Sequence, residues 1–274
     1  CHLPRKNEIP RKGVTTRAQL MSTYNYITYQ LKEAYGEVYL NRPDKRNAFH
    51  EDMIRELLAA IDEAEQEPGM KALVFRGAGK VFSAGADLQW MQQVVDYSFE
   101  ENLRESENLA TLFKRLYYSP LVIISLVHGA CIGGANGIVG ASDMVLAAPE
   151  TTFRFSEVKL GLVPATIAPY VLKRMPLPQV RYYMLSGLPF SGQEAAEMGL
   201  VNATPKPAFF EGELEKIMNS IRENGQDAMQ QTKRLLTRIE GRKPAEVEED
   251  TVAVIAGARI SGEAQQRMKQ FFKK

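Results

Sequence analysis

The stretch HGACIGGANGIVGAS, residues 128–142, follows an apolar run, Leu121–Val127, and is rich in glycine and other small residues. Its only ionisable residues are His128 and Cys131. Neither GxxxxGK[ST] nor GxGxxG fits it, so a nucleotide-phosphate loop is not indicated. A strand that enters a Gly-Gly turn and then a small-residue helix leaves unpaired backbone N–H groups at the helix start. These groups can hold a developing oxyanion. Close helix–strand packing, which only Gly and Ala permit, is the alternative.

The composition bounds the class of protein. A chain of 274 residues with 45% hydrophobic residues can bury a full-sized core, as one large domain or one domain with a small appendage. Its net charge of +1, from 34 basic and 33 acidic residues, does not support a nucleic-acid partner. The apolar runs are too short to span a bilayer, so no membrane partner is predicted. Cys1 and Cys131 form neither a disulfide framework nor a zinc pattern, so we predict no metal and a cytoplasmic location.

Patterned sequence begins only after Met21. Residues 1–20 are basic and lack periodicity, which predicts an N-terminal extension that is disordered or left over from expression. A basic targeting arm is the alternative, and the absence of an amphipathic face disfavours it.

Outward from the opening stretch, strand, turn and helix signals recur in order. Tyr24–Gln30 and Glu37–Asn41 predict a hairpin with its turn at residues 34–36. A helix ending at Pro68-Gly69, a strand at Lys71–Arg76 and a helix over residues 98–118 are predicted next. Strands at Leu121–Val127, Met144–Ala148 and Thr152–Phe155 complete an α/β core. Beyond about Val180 the chain is predicted to be almost wholly helical, and this strand-free tail is expected to pack on a neighbour as well as on its own core.

Three segments together resemble the crotonase (enoyl-CoA hydratase/isomerase) superfamily. They are FSAGADL (residues 82–88), HGACIGGA (128–135) and FRFSEVKLG (153–161), and RPDKRNA (42–48) falls where the family has a similar segment. The resemblance implies an α/β spiral of repeated ββα units over residues 21–200. It also implies a helical trimerisation region over 201–274, in a homotrimer or a hexamer made as a dimer of trimers.

The resemblance implies an acyl-CoA substrate and no separate cofactor, since CoA is part of the substrate. The family holds the thioester oxygen with two backbone N–H groups, which correspond to Ala86 and Gly134. Its second catalytic glutamate corresponds to Glu157, whose apolar neighbours are expected to raise its pKa. Without the resemblance, the sequence predicts only a structural role for Glu157, as a partner of Lys159 at the end of a strand.

This chain departs from the family at the first glutamate, where it has Gly137. Asn136 lies beside it but its amide cannot shuttle protons. One carboxylate is sufficient for a syn addition or elimination, because the same group can activate water and return a proton to the α-carbon. Gly137 and the segment LGLVPATIAPYV (160–171) resemble the bacterial methylglutaconyl-CoA hydratase-like branch, which implies hydration or dehydration of a 3-methylglutaconyl-type thioester in leucine degradation.

The remaining candidates surround these residues. Lys45 is a candidate for CoA phosphates, and the other predicted substrate-binding residues are Ala84, Asp87, Leu88, Gly133 and Pro164. Two interpretations are open for the apolar residues Trp90, Met91, Leu109 and Phe113. They either line a pocket for the acyl chain or belong to the ordinary hydrophobic core. Arg104 and Arg154 are candidates for a distal substrate carboxylate, and His128 is interpreted as a packed, hydrogen-bonded residue.

Three alternatives remain open. An acyl-CoA decarboxylase or a double-bond isomerase could use the same oxyanion hole. In a different class, a non-catalytic RNA-binding protein is possible because one superfamily member associates with RNA, but the chain has no basic stripe.

Overall fold

A computed structural model describes residues 24–273 of the chain. The prediction for residues 1–20 lies outside this range. Within it, none of the helices combines the length and apolar character needed to cross a bilayer. The strands are β1 (Ile27–Leu31), β2 (Tyr35–Leu40), β3 (Ala72–Gly77), β4 (Val122–Val127), β5 (Ala130–Ile132), β6 (Met144–Ala147), β7 (Thr152–Arg154) and β8 (Pro189–Ser191).

The helices connect the strands and form the end of the chain. They are α1 (Glu51–Gln66), α2 (Leu88–Val94), α3 (Phe99–Tyr118), α4 (Ala135–Ala141), α5 (Ala168–Val171), α6 (Leu177–Ser186), α7 (Gly192–Glu197), α8 (Phe210–Glu223), α9 (Gln226–Ile239), α10 (Pro244–Ile260) and α11 (Gly262–Phe271). Short 3-10 turns occur at Pro43–Lys45, Glu157–Leu160 and Pro207–Phe209.

Two sheets organise the core. The larger has the order β1-β2-β3-β4-β6, and the smaller has the order β5-β7-β8. The β1–β2 pair is antiparallel, which confirms the predicted hairpin, although its turn lies at residues 32–34. The pairs β2–β3, β3–β4 and β4–β6 are parallel, as strand–helix–strand connections require. Consequently the loops after β3 and β4 leave from the same edge of the sheet.

Helix α1 shows why the predicted helices form. The His50 ring accepts a hydrogen bond from the Met53 N–H and so caps the helix start. Its buried residues recur at helical spacing and face the sheet: Met53, Ile54, Leu57, Ala60, Ile61 and Ala64. Pro68 and Gly69 follow the last turn, as predicted.

The prediction of an almost wholly helical chain beyond Val180 is wrong at β8. Pro189–Ser191 pairs antiparallel with β7 at the edge of the smaller sheet. A three-residue edge strand that begins with proline has no alternation to detect, so its sequence carries no strand signal. The prediction also missed β5 and α2. They are three and seven residues long, which is too short for a clear periodic pattern.

The last helices differ in what they bury. Helix α8 places Phe210, Leu214, Met218 and Ile221 in the main core. Among the described residues of α9, α10 and α11, only Val247 is fully buried. The predicted division into residues 21–200 and 201–274 remains a prediction.

Candidate active site

The loop after β3 and the loop after β4 run side by side. Ser83 forms a parallel bridge with Cys131. The Ser83 N–H donates to the Ala130 carbonyl at 3.0 Å, and the Ile132 N–H donates to the Ser83 carbonyl at 3.1 Å. Ala86 and Gly134 both lie three residues beyond this bridge, so the register brings them to the same level.

The N–H groups of Ala86 and Gly134 donate to no acceptor within residues 24–273. Three of the four flanking N–H groups are bonded, and the fourth, on Ala135, has no acceptor within residues 24–273. Gly85 donates to the Ser83 hydroxyl at 3.2 Å, Asp87 to the Phe49 carbonyl at 2.8 Å and Gly133 to the Arg154 carbonyl at 2.9 Å. Ala86 is exposed and Gly134 is half-buried, so a ligand can reach both residues. Two such donors at one level form a suitable cradle for an anionic oxygen.

Glycine is required where the two loops approach each other. Gly85 has φ of +90°, and a Cβ on it would lie 2.8 Å from the Ile132 carbonyl oxygen. Gly133 has φ of +52°, in the left-handed region. Gly134 itself has an ordinary helical φ of −52°.

Glu157 lies directly over the Gly133–Gly134 turn. A Cβ placed on Gly133 would be 3.4 Å from the Glu157 Oε1, so the carboxyl group lies beside the residue that precedes the Gly134 donor. Glu157 Oε2 is buried and has no hydrogen-bond partner among the described residues. Burial raises the pKa of Glu157, against the opposing effect of the Glu157 and Ser156 backbone N–H groups. The described residues contain no ion pair between Glu157 and Lys159.

The position of the missing first glutamate is filled by an aromatic ring. A Cβ on Gly137 would lie 2.5 Å from Cε1 and Cε2 of Phe113, and closer still to Cζ. Phe113 is fully buried and packs edge-on against Tyr170, with 6.1 Å between ring centroids. The space into which a side chain at residue 137 would project is therefore occupied.

One stripe of α3 lies along α4. Leu109 is one turn before Phe113, and its Cδ2 would be 3.9 Å from a Cβ on Gly134. Phe49 Cδ2 would be 4.0 Å away from the same position. These two side chains form an apolar wall beside the Gly134 donor. Trp90, on α2, packs against the same core and donates its indole N–H to Glu105 at 2.9 Å.

Asp87 and Arg42 hold the loop that carries Ala86. Asp87 caps α2 by accepting from the Gln89 N–H, and it pairs with Arg42 at 2.8 Å. Arg42 also donates to the Ala48 carbonyl. The hydrogen bonds from Arg42 and backbone N–H groups hold the pKa of Asp87 below its usual value, although its burial acts in the opposite direction. Sequence reasoning did not single out Arg42, whose only signal was its place in RPDKRNA.

The other substrate-binding candidates have varied surroundings. Ala84 donates its N–H to the Arg46 carbonyl at 2.9 Å. Lys45 and Leu88 are exposed, and Pro164 is buried.

The two arginines predicted to bind a distal substrate carboxylate have different surroundings. Arg104 is exposed on α3, and Arg154 uses its Nε to donate to the Gly187 carbonyl at 2.8 Å. His128 Nε2 lies 2.9 Å from the Gly79 carbonyl, in agreement with a packed, hydrogen-bonded histidine. Met91 is half-buried on α2.

Comparisons with known proteins were consistent with this geometry. A family model described as Enoyl-CoA hydratase/isomerase matches residues 30–266. The hydroxycinnamoyl-CoA hydratase-lyase of Pseudomonas fluorescens is 33% identical over 214 residues, which cover 74% of this chain and 77% of that protein. The bacillaene synthase dehydratase PksH of Bacillus subtilis is 30% identical over 181 residues, 66% of this chain and 69% of that protein.

Solved structures agree with the sequence comparisons. An enoyl-CoA hydratase from Shewanella pealeana has a TM-score of 0.88 at 34% identity, covering 91% of this chain and 94% of that chain. AtuE from Pseudomonas aeruginosa has a TM-score of 0.86 at 30% identity, with 90% and 96% covered. The crotonase-like α/β fold predicted from the sequence is thereby confirmed.

Proposed function

Because the chain belongs to the enoyl-CoA hydratase/isomerase family, we propose that it is a hydro-lyase that adds water reversibly to the double bond of an α,β-unsaturated acyl-CoA thioester. The observation that carries this proposal is the pair of unpaired N–H groups, on Ala86 and Gly134, together with the half-buried Glu157, whose carboxyl lies beside Gly133. CoA enters as part of the substrate, and no separate cofactor is proposed.

In the hydration direction, the thioester carbonyl oxygen accepts hydrogen bonds from both N–H groups. The ionised Glu157 removes a proton from a water molecule as its oxygen attacks C3, and the electrons of the double bond move onto the carbonyl oxygen. The resulting enolate is stabilised by the two donors, each worth about 3 kcal/mol in comparable sites. The protonated Glu157 then delivers its proton to C2, which completes a syn addition. Dehydration is the reverse sequence.

The raised pKa of Glu157 suits both halves of this cycle. A carboxyl group whose pKa lies nearer to neutral pH takes a proton more readily from water than an exposed glutamate does. It also remains protonated long enough to act as the acid. Since Phe113 occupies the space beside Gly137, one carboxylate performs both roles in this proposal.

We propose 3-methylglutaconyl-CoA, or a related branched thioester, as the substrate. Support comes from Gly137 and from the PATIAPY segment (164–170), which resemble the methylglutaconyl-CoA hydratase-like branch of leucine degradation. Lys45 is proposed to contact the CoA phosphates. Arg104 and Arg154 remain the candidates for the distal carboxylate.

We also propose a homotrimer or hexamer in the cytoplasm. Support for assembly comes from exposed apolar residues on the last helices, which are Leu236, Val252, Ile255, Ile260, Met268, Phe271 and Phe272. Large apolar side chains concentrated on one region of a surface favour an interface. Light scattering on the purified protein tests the mass of the assembly.

Product mass analysis tests the activity. The protein is incubated separately with 3-methylglutaconyl-CoA and with crotonyl-CoA, beside a Glu157→Gln variant. Gain of one water on the first substrate, little on the second and almost none with the variant is the expected result. Loss of carbon dioxide, or no change on either substrate, contradicts the proposed hydratase.

A double-bond isomerase is the second candidate, favoured by the single carboxylate and its apolar surroundings. Such a reaction moves one proton between C2 and C4 and adds no water. With the same substrates in D2O, movement of the double bond from C2–C3 to C3–C4 with no gain of water, followed by proton NMR, would identify the isomerase. Deuterium at C2 together with an added hydroxyl would identify the hydratase.

A further inference from the structure

Asn136 is fully buried in the first turn of α4, and its side chain reaches back beneath the turn that carries the Gly134 donor. Its Nδ2 donates to the Gly133 carbonyl at 2.9 Å and to the Arg154 carbonyl at 3.0 Å. The Cys131 carbonyl lies at 3.4 Å and completes the set. Three backbone carbonyls therefore converge on the two hydrogens of one amide.

The orientation of this amide is fixed by its surroundings. If the amide were turned over, Oδ1 would face three carbonyl oxygens, which offer no hydrogen to accept. In the observed orientation Oδ1 is buried and has no donor within residues 24–273. A buried, unpaired oxygen costs stability, and an alanine at this position would avoid that cost. The two short Nδ2 hydrogen bonds offset this cost, and they are what the residue contributes to the turn.

The three carbonyls belong to two elements that carry the proposed reaction. Cys131 and Gly133 lie at the end of β5, next to the Gly134 N–H. Arg154 ends β7, three residues before Glu157. Asn136 thus joins the strand that leads to the base with the turn that bears the oxyanion donor. The Gly133 N–H bond to the Arg154 carbonyl, at 2.9 Å, supplies the backbone part of the same link.

We infer that Asn136 is a positioning residue that holds the Gly134 N–H and the Glu157 carboxyl in their working relation. This inference rests on the proposed function. Asn136 acts through Gly133 and Arg154, and it contacts no reacting atom. Its amide fixes the direction of the Gly134 donor, which must point at the thioester oxygen when charge develops there.

The test measures carbonyl polarisation and steady-state kinetics in Asn136→Ala and in the isosteric Asn136→Asp. The probe for polarisation is crotonyl-CoA or 3-methylglutaconyl-CoA labelled with 13C at the thioester carbonyl. Its infrared stretch is recorded when bound to each protein, with Glu157→Gln added so that the ligand is not consumed. Asn202→Ala is the matched control, because Asn202 accepts from the Val145 N–H and from Arg174, at the opposite ends of the strands.

We expect the bound carbonyl band of the parent protein to lie below its solution frequency and to return toward it in both Asn136 variants. We expect kcat to fall roughly 10- to 100-fold, with KM changed by less than about threefold, because a misdirected donor weakens the transition state most. The Asn202→Ala control should keep the band and kcat, whatever it does to stability. If Asn136→Ala does not fold, the same comparison is made with Asn136→Asp.

Two results would overturn the inference, and they are distinct from failure of the proposed function. An unshifted band position and unchanged kcat in a folded Asn136 variant would show that the amide does not position the donor. An equal loss in Asn202→Ala would show that the effect is general destabilisation. If the parent protein polarises neither ligand, the oxyanion hole itself is wrong.

Discussion

Substituting Gly137 by alanine should destabilise the protein, even though alanine is normally the better helix residue. The new Cβ would lie 2.5 Å from Cε1 and Cε2 of Phe113. Carbon atoms in contact normally lie about 3.5–4.0 Å apart, so the ring tip has to retreat by about 1–1.5 Å. Phe113 is fully buried and contacts Tyr170, which leaves it no free space.

The magnitude follows from two opposing effects. Overpacking a core costs about 1–3 kcal/mol. Alanine in place of glycine inside a helix returns up to about 1 kcal/mol. The net loss in the free energy of unfolding should be about 1–2 kcal/mol, which lowers Tm by about 2–8 °C for a chain of this size.

A double-mutant cycle with Phe113→Leu assigns the loss to the ring. Urea unfolding is measured for the parent, both single variants and the double variant. In the Phe113→Leu background, Gly137→Ala should cost nothing or stabilise, which gives a coupling energy of about 1–3 kcal/mol. Gly212→Ala is the matched control, since a Cβ at that helical glycine meets nothing within 4 Å and should stabilise by up to about 1 kcal/mol.

The reasoning is refuted if Gly137→Ala is as stable as the Gly212→Ala control, or if the cycle shows no coupling. The same packing makes a functional point. Gly137→Glu should not create a second catalytic acid while Phe113 is present, because the glutamate has no space to occupy beside the site.

Glu157→Gln should lower kcat about 10²- to 10⁴-fold in the hydration assay, because the proposed base is lost. Burial raises the folded-state pKa of Glu157, so its contribution to stability is present below the unfolded pKa and lost as pH rises through the folded pKa. Thermal melts should therefore show the Gln variant gaining stability over the parent at pH 7–8 and losing that advantage near pH 4; an equal difference at both would exclude the assigned shift. Gly134→Ala should fold normally, since its Cβ would be 3.9 Å from Leu109 at an ordinary φ, yet it should lower kcat/KM at least about tenfold because the new methyl group narrows the space between the Gly134 donor and the apolar wall of Leu109 and Phe49; unchanged kinetics would remove Gly134 from the site. Lys233→Met should cost about 1–3 kcal/mol in urea unfolding, because Asp143, 2.7 Å from Lys233 Nζ, loses its partner; no change would mean that this ion pair does not hold α9 to the core.

The local pattern of the sequence was sufficient for much of the fold. The runs Tyr24–Gln30 and Glu37–Asn41 predicted the hairpin, and Pro68-Gly69 predicted the end of α1. The capping residues of α7, Ser191 and Glu194, bond reciprocally in the structure and are only three positions apart in the sequence. Such signals are readable because the interacting residues are only a few positions apart.

The candidate site depended on motifs as well as on local pattern. The resemblance of FSAGADL and HGACIGGA to one family pointed to Ala86 and Gly134 as the donors, and FRFSEVKLG pointed to Glu157. It also showed that Gly137 departs from that family. None of these segments indicates by itself where the others lie in space.

Local sequence pattern was sufficient for the α/β class and most element positions, and the resemblance to one family supplied the candidate donors and base. Three features could be known only from the folded chain: Ser83 pairs with Cys131, the Phe113 ring fills the space beside Gly137, and the Asn136 amide binds carbonyls from two elements. The difference lies in how far apart in the sequence the interacting residues are. Helix and turn signals arise within a few residues of chain, whereas strand register and core packing arise from contacts between segments that are remote in sequence.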